Sequence, residues 1–287
     1  MTKNEKKSSG PHSVNHAYEK LVRRYYSGMG LREWRRLTRD AYHLLELNTT
    51  IHYLKKYLPK KGFVLDAGGG PGKYTVELAR LGYDVALLDF TPELLEMAKR
   101  QVKKARVQKR VKQITQGTIY DLSQFCNDTF DAVICLGGPL SHVLNPAKRG
   151  TAIDELIRVS KKGAPIFVSV IGRMALLVTE LVHFPHEMEL ELFPRIRDTG
   201  DYHGGYGFAP CHFYTPYELE KQFAECGVTV LEMVGLEGLA SVHRKETNRL
   251  FKKYPDAWEI WWQTHLKTCT DSTSVGISEH FMIICRK

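Results

Sequence analysis

The chain has 287 residues, of which 41 are Lys or Arg and 32 are Asp or Glu, so its formal net charge is +9. With 43% hydrophobic and 25% charged residues, the composition is globular and excludes collagen-like, disulfide-scaffold and disordered classes. No run approaches the ~20 apolar residues of a membrane-spanning helix, and the polar start MTKNEKKSSG lacks a signal-peptide core. We therefore expect a cytoplasmic protein with no membrane partner. Six scattered cysteines without a CxxC pair argue against a zinc finger.

The positive charge is concentrated in two segments. Residues 1–61 hold 14 Lys or Arg against 5 Asp or Glu, and residues 98–113 hold eight Lys or Arg and no acid. Such surfaces attract polyanions, so RNA is one candidate partner. The competing interpretation is that these side chains lie on solvated helix faces, with the second group near a helix C-terminus where the dipole favours cations.

The first part of the chain predicts a disordered tail followed by helices. Residues 1–12 are polar and contain Gly10-Pro11, which is typical of a disordered segment. From residue 13 to residue 61, apolar side chains recur at helical spacing. This pattern predicts a helical cap of two or three segments that is broken at Ser27-Gly28.

After Gly62, short apolar runs alternate with amphipathic stretches, which indicates an α/β fold with a mostly parallel sheet and helices on both faces. We predict strands at 63–67, 84–89, 111–115, 130–136, 164–171, 229–234 and 279–285. Thr91-Pro92-Glu93 has the signals of a helix start, and Thr215-Pro216-Tyr217-Glu218 reads as a capping box.

Two segments, 172–214 and 237–278, are far longer than the usual connections in such sheets. We predict that both form a lid over a substrate site. The second segment carries aromatic residues at helical spacing, which we interpret as core packing, with a substrate wall as the alternative. These residues are Phe251, Tyr254, Trp258, Trp261 and Trp262.

A glycine-rich loop follows the first predicted strand, within FVLDAGGGPGKYTVELARLGYDVALLD. The strand ends in Asp66, and glycines then permit close approach of a ligand to the backbone before a helix start that offers amide donors. Asp89 ends the next strand 21 residues after Gly68, where an acid can accept both hydroxyls of a ribose. The loop glycines are Gly68, Gly69, Gly70 and Gly72.

The spacing of these glycines separates three kinds of nucleotide site. The dinucleotide pattern G-x-G-x-x-G fails, because its third glycine position falls on Lys73 or Thr75. The P-loop pattern fails because Ala67 stands at its first glycine. The pattern D-x-G-x-G-x-G does match, and it resembles the first motif of class I S-adenosylmethionine-dependent methyltransferases, whose loop passes under the methionine part of the cofactor.

The resemblance continues along the chain. LLDFTPELLEMAK resembles the second motif of that family, which places Asp89 on the ribose and Phe90 beside the adenine. QGTIYDL and FDAVICLGGPLSHV resemble the ends of the third and fourth strands, the latter with Leu136 against the cofactor. By the same resemblance, Tyr18 and Tyr26 of the cap close over the cofactor, with plain helix packing as the alternative.

One position departs from the family pattern. Relatives often carry an acid directly after the glycine of the third motif, on the adenine amine, whereas this chain has Gly117-Thr118-Ile119. Either Thr118 with the Ile119 amide takes that place, or Asp121 reaches back to it. Both alternatives stay open at this point.

The resemblance implies a Rossmann-like seven-stranded sheet with an antiparallel last strand, in a single domain of residues 13–287. Within that domain it implies a helical cap (13–61), a cofactor-binding core (62–171) and the two lid segments. The implied activity is transfer of a methyl group from S-adenosylmethionine to a small-molecule acceptor, with S-adenosylhomocysteine as the other product. The accepting atom and the oligomeric state are left open.

Catalysis by this chemistry depends mainly on in-line positioning, and a base is needed only if the acceptor carries a proton. Our candidates for catalytic residues are His142, just beyond the fourth strand, and His183 and His212 in the first lid segment. His183-x-x-His186 with Glu187 matches no specific metal signature, so we predict no metal.

Two further functions compete with a small-molecule enzyme. One is an RNA or protein methyltransferase that uses the two basic segments, and the other is a cofactor-binding regulatory protein without catalysis. The chain carries Leu136-Gly137-Gly138-Pro139 where exocyclic-amine enzymes carry a D/N-P-P-Y tetrapeptide. This difference disfavours methylation of a base amino group.

Overall fold

The computed structural model describes residues 11–287, with side chains from residue 17 onward. Residues 1–10 of the predicted tail lie outside the described residues, and its last two residues, Pro11 and His12, belong to a helix and not to a disordered tail. The helices are α1 (Pro11–Ser27), α2 (Gly30–Arg36), α3 (Ala41–Tyr57), α4 (Lys73–Arg80), α5 (Pro92–Lys104), α6 (Pro146–Val159), α7 (Arg173–His183), α8 (Leu192–Thr199), α9 (Pro216–Glu225), α10 (Arg244–Lys253), α11 (Pro255–Thr268) and α12 (Ser272–Gly276). The strands are β1 (Phe63–Ala67), β2 (Asp84–Asp89), β3 (Val111–Gln116), β4 (Ala132–Cys135), β5 (Pro165–Ile171), β6 (Asp201–Tyr202), β7 (Cys211–His212), β8 (Thr229–Gly235) and β9 (His280–Arg286).

Seven strands form one sheet in the order β3-β2-β1-β4-β5-β9-β8. Strands β1 to β5 pair in parallel, whereas β9 is antiparallel to both β5 and β8. The predicted α/β fold, with its mostly parallel seven-stranded sheet and antiparallel last strand, is confirmed. The separate two-stranded sheet of β6 and β7 was not predicted.

The central strands are buried on both faces because their side chains alternate between two cores. Leu65 and Val133 point into one hydrophobic cluster, and their neighbours Val64 and Ile134 point into the other. Parallel strands covered by helices on both sides read as continuous apolar runs for this reason. The same runs made these strands predictable.

The helix start at Thr91 is confirmed, with Pro92 as the first helical residue. At α9, the Thr215 side chain accepts a hydrogen bond from the Glu218 amide, as a cap should. The Glu218 carboxylate, however, bonds to His212 and Arg173 instead of turning back to the cap. Only one of the two hydrogen bonds of the predicted capping box therefore forms, because the Glu218 carboxylate is engaged in tertiary contacts.

The two long segments fold differently. Residues 172–214 form α7, α8 and the β6–β7 hairpin, and their ends meet where Gly172 pairs with Tyr214. In the second segment, Pro255 separates α10 from α11, so the aromatic residues do not share one helix. Three of them pack with Tyr42 and Leu45 of α3, and two are exposed. The packed residues are Trp258, Trp261 and Trp262, and the exposed ones are Phe251 and Tyr254.

The strand order reverses between β1 and β4, which leaves a crevice at their carboxyl ends. Helices α1 and α2 contact α5 beside this crevice and so cover it. Within residues 11–287, no helix has both the length and the apolar character that a bilayer span requires.

Candidate functional site

Two neighbouring cavities lie at the carboxyl ends of the central strands. The loop cavity is lined by the glycine loop, Asp89, residues 117–120 and residues 142–145, and is closed by α1. The cap cavity lies between helices α1 to α3 and the segment 172–214. Four residues line both cavities, which marks the place where they meet. These shared residues are Tyr26, Glu33, Arg36 and Gly137.

The glycine loop is held rigidly against β2. The amides of Gly68 and Gly69 donate to the Leu88 carbonyl (2.7 and 3.1 Å), and the Gly70 amide donates to Asp89 Oδ2 (2.9 Å). The Gly72 amide donates to the Gly69 carbonyl. All four glycine amides are thus used inside the protein, so the glycines offer a ligand close approach to the backbone and no amide donors of their own.

Asp66 supports the loop from below and does not line either cavity. Its carboxylate is fully buried and accepts a hydrogen bond from Thr75 Oγ1 at 2.6 Å. Burial, with a smaller contribution from the Asp89 charge, raises the pKa of Asp66 to about 7. A Cβ at Gly69 would lie 2.5 Å from Asp66 Oδ2, so only glycine fits above this carboxyl.

Asp89 lines the loop cavity and is held by two backbone groups. Its Oδ2 accepts from the Gly70 amide and its Oδ1 from the Thr91 amide at 2.8 Å. Burial is the main cause that raises the pKa of Asp89, to about 6. Each oxygen keeps a lone pair for a further donor, because a carboxylate oxygen accepts two hydrogen bonds.

The other residues predicted to bind the cofactor divide into two groups. Asp121 is exposed to solvent and accepts a hydrogen bond from the Ser123 amide, while Gly72 begins α4 behind the loop. Neither of these two lines the loop cavity. The remaining members do line it: Tyr18, Tyr26, Gly68, Gly69, Gly70, Phe90, Thr118, Ile119 and Leu136. Of the two alternatives for the adenine position, the structure brings only Thr118 and Ile119 to the cavity.

His142 and Tyr26 form a hydrogen-bonded pair at the junction of the cavities. His142 Nδ1 lies 2.9 Å from the Pro210 carbonyl oxygen, which can only accept, so Nδ1 carries the proton. In the neutral ring Nε2 is then an acceptor, and the Tyr26 hydroxyl donates to it at 2.8 Å. Burial lowers the pKa of His142 and raises that of Tyr26, which keeps both groups neutral.

The other two candidate histidines lie elsewhere. His183 is exposed at the end of α7 and lines neither cavity. His212 is buried, with Nδ1 at 2.6 Å from Asp201 Oδ1 and Nε2 at 2.7 Å from Glu218 Oε1. Both ring nitrogens are bound by carboxylates away from the cavities, so His212 ties the β6–β7 hairpin to α9 and has no free nitrogen for a substrate.

An ion pair at the junction was not predicted from the sequence. Arg36 Nε donates to Glu33 at 2.9 Å, and its two terminal nitrogens donate to Glu46 at 2.5 and 3.0 Å. Three of the five guanidinium N–H groups are thereby used and two remain. The spacing of Glu33 and Arg36 on α2 is an ordinary helical i, i+3 pair, which gave no sign that both face a cavity.

One cluster has the composition of a metal site. Ligand atoms of Glu46, Glu237 and His280 lie within 4.8 Å of one another. Yet Glu46 is engaged by Arg36, and Glu237 accepts from His280 Nδ1 at 2.8 Å. The three groups satisfy each other as an ion-pair network, so their chemistry does not favour a cation at this place.

The chain matches the methyltransferase domain family over residues 64–163. It is similar to the ubiquinone biosynthesis O-methyltransferase of Xylella fastidiosa, at 35% identity over 124 residues, which are 43% of this chain and 48% of the relative. It is also similar to the glycine/sarcosine N-methyltransferase of Parasynechococcus marenigrum, at 33% identity over 98 residues, 34% of either chain. The chain thus spans about half or less of the length of these curated relatives.

A solved S-adenosylmethionine-dependent methyltransferase from Methanosarcina mazei has the same fold. The match has a TM-score of 0.57 at 21% identity and covers 82% of this chain and 96% of that chain. The domain match, the curated relatives and the fold agree with the loop and with the strand order described above. Residues 64–163 therefore match a methyltransferase domain, and the chain has the fold of a solved S-adenosylmethionine-dependent methyltransferase.

Proposed function

We propose that this protein transfers the methyl group of S-adenosylmethionine to a small-molecule acceptor. The cofactor occupies the loop cavity and the acceptor occupies the cap cavity. The observation that carries this proposal is that the two cavities meet at Tyr26, Glu33, Arg36 and Gly137. Two ligands bound side by side can then react across the junction.

The residues of the loop cavity fit the parts of this cofactor. The Asp89 carboxylate suits the two ribose hydroxyls, and the apolar surface of Phe90 and Ile119 suits the adenine ring. Glu33 and the two unused N–H groups of Arg36 suit the ammonium and carboxylate of the methionine part.

When bound, the cofactor supplies a methyl group that its sulfonium already activates. The chain then has to orient the acceptor and keep water from the junction. Helix α1 contributes to both tasks, because Glu19 accepts hydrogen bonds from Tyr120 (2.9 Å) and Lys148 (2.6 Å) and so fastens the helix over the loop cavity.

An acceptor that loses a proton during the transfer needs a base, and the Tyr26–His142 pair is placed to act as one. The Tyr26 oxygen keeps lone pairs that can take the proton of an acceptor in the cap cavity. The Tyr26 proton then passes along the 2.8 Å hydrogen bond to His142 Nε2, and the Pro210 carbonyl stabilises the ring from the other side.

The two long segments differ in their proposed roles. Residues of the first segment line much of the cap cavity, among them Leu176, Tyr202 and Phe208, and we propose this segment as the lid. The second segment contributes only Glu237 to the described lining. The three tryptophans of this segment pack against α3 instead.

The position of the second basic segment, residues 98–113, favours a small-molecule acceptor over RNA. None of the residues 98–113 lines either cavity, although several are exposed. Arg110 and Lys112 bind Asp84 at the β3 edge of the sheet. A polyanion bound there would lie on α5 and β3 and not at the junction.

The test is methyl transfer from S-adenosylmethionine labelled on the methyl group. The purified chain is incubated with panels of amines, phenols, alcohols and total RNA, and labelled products are separated by size. We expect label in small molecules and none in RNA. Label in RNA alone would support the polyanion alternative, and tight cofactor binding with no labelled product in any panel would support a regulatory protein.

A further inference from the structure

We propose that the cap cavity selects a methyl acceptor that carries a protonated amine, with the carboxylates of Glu180 and Glu187 as its counter-charge. This inference rests on the proposed function and narrows it to a class of acceptor. It follows from the charge balance of the cavity walls and from the aromatic surface beside them.

The cap cavity has more acidic groups than cations to neutralise them. Six glutamates line it, and three of these are paired, because Glu33 and Glu46 bind Arg36 and Glu237 binds His280. Glu279 accepts a hydrogen bond from the Tyr42 hydroxyl. Glu180 and Glu187 take part in no ion pair among the side chains that the structure describes, from residue 17 onward.

Glu180 in particular lacks a partner for a buried atom. Its Oε2 is shielded from solvent and has no hydrogen-bond partner within the described part of the chain. Burial and the neighbouring Glu187 carboxylate raise the pKa of Glu180, and the opposing effect of His186 is smaller. Leaving a buried acceptor unpaired is costly, and a second negative charge beside it adds to that cost, so a cationic ligand would relieve both.

The cations that face the same cavity form no ion pair with Glu180 or Glu187. Arg39 is bound to His43 and lies 3.8 Å from Asp40, and burial lowers the pKa of His43. Arg32 is exposed on α2 and its charge is screened by solvent. The cavity therefore disfavours phosphorylated or carboxylated acceptors and favours a cation.

Aromatic rings complete the recognition surface. Tyr25 packs edge-on against Tyr26 (5.1 Å between ring centroids) and against Phe208 (5.5 Å), and all three rings line the cap cavity. Aromatic faces attract ammonium groups and also pack against apolar bodies. An amine on an apolar or aromatic skeleton matches both kinds of wall, carboxylate and aromatic.

The test is a calorimetric comparison of two ligands that differ only in this group. We would titrate 2-phenylethylamine and 2-phenylethanol into the full chain at pH 7, with and without saturating S-adenosylhomocysteine. We expect the amine to bind about tenfold more tightly than the alcohol, as a carboxylate pair and cation–π contacts allow. In the Glu180→Gln/Glu187→Gln variant this preference should disappear, with alcohol binding unchanged.

Glu189→Gln is the matched control, because Glu189 is exposed in the same turn and lines neither cavity. It should keep the full preference for the amine, and thermal unfolding would verify that each variant is folded. Equal binding of amine and alcohol to the wild type, no binding of the amine, or an amine preference that survives the double substitution would overturn the inference. Failure of S-adenosylhomocysteine to bind would instead count against the proposed function, and the titrations without it would still decide the inference.

Discussion

Asp89 is the residue on which the cofactor assignment depends most. It lies in the loop cavity with one backbone donor on each oxygen, which fixes the carboxylate without using all of its lone pairs. The two backbone donors also join the glycine loop to the end of β2. In the proposed complex, ligand binding and loop position are thus coupled at one side chain.

Replacing this carboxylate should weaken cofactor binding. For Asp89→Ala we expect the Kd of S-adenosylhomocysteine to rise about 10- to 100-fold, because charge-assisted hydrogen bonds contribute about 1.5 to 3 kcal/mol. Calorimetry measures the change. Asp121→Ala is the control and should bind like the wild type, since Asp121 is exposed outside the cavity. The reverse order of the two variants would show that the acid on the cofactor is Asp121.

The Tyr26 hydroxyl should matter for turnover more than for binding. Tyr26→Phe removes the group between an acceptor and His142 while keeping the ring, and we expect kcat to fall about 10²-fold for an acceptor that must lose a proton. The affinity for S-adenosylhomocysteine should stay within about threefold, because the ring remains in place. Steady-state kinetics and calorimetry on the same samples separate the two effects. An unchanged kcat would remove the pair from the mechanism.

Residues in a local pattern could be predicted, and residues that meet through the fold could not. Gly68, Gly69, Gly70 and Asp89 line one cavity, and their spacing alone predicts that they share a site. His212 was misplaced because its partners, Asp201 and Glu218, meet it only once the hairpin and α9 are folded. Glu33 and Arg36 were missed because nothing in the sequence shows which face of α2 meets a cavity.

At the scale of the elements, the loop between β1 and α4 depends on the absence of one side chain. Gly69→Ala should destabilise the fold, because its Cβ would clash with the buried Asp66 carboxyl at 2.5 Å. We expect a loss of about 1 to 3 kcal/mol, as for other overpacked positions. Gly150→Ala is the matched control in α6, where no atom lies within 4 Å of the new Cβ.

The control variant Gly150→Ala should raise the free energy of unfolding by about 1 kcal/mol, since alanine favours a helix more than glycine does. Urea denaturation of both variants gives the two free energies of unfolding. Equal stability of the Gly69→Ala variant and the wild type would mean that the loop can move away from Asp66.

His280 links β9 to α3 and to the turn after β8 through Glu46 and Glu237. The nearby carboxylates raise the pKa of His280 to about 9 despite its burial. The pKa of His280 in the folded protein lies above the unfolded value of about 6.5. The ion pairs of protonated His280 therefore stabilise the fold fully below pH 6.5, and this stabilisation is lost as the pH rises through about 9.

His280→Gln leaves buried carboxylates without their cation and should cost about 3 to 5 kcal/mol at neutral pH. The wild type should lose more stability than the variant between pH 6.5 and 9.5. Chemical denaturation across that range measures both slopes. Parallel pH profiles would mean that His280 is neutral in the folded protein.

The positions of the five parallel strands were predictable because apolar runs alternate with helix signals along residues 62–171. The secondary structure of residues 172–214 was not predictable. Its hairpin strands β6 and β7 have only two residues each and depend on contacts with α8 and α9. In the second long segment, a single proline divided a helical pattern that had looked continuous.

At the scale of the whole molecule, three parts meet at one junction. The sheet edge supplies the glycine loop and Asp89, the cap supplies Tyr26 and Arg36, and the first long segment supplies the Pro210 carbonyl that orients His142. In the proposed function, the acceptor lies between the cap and the first long segment.

The most direct test of this account is a calorimetric titration of the purified chain with S-adenosylhomocysteine. We expect one site per chain with a Kd in the micromolar range, formed by the loop cavity. The absence of binding heat at several temperatures would contradict the assignment of that cavity, and with it the proposed methyl transfer.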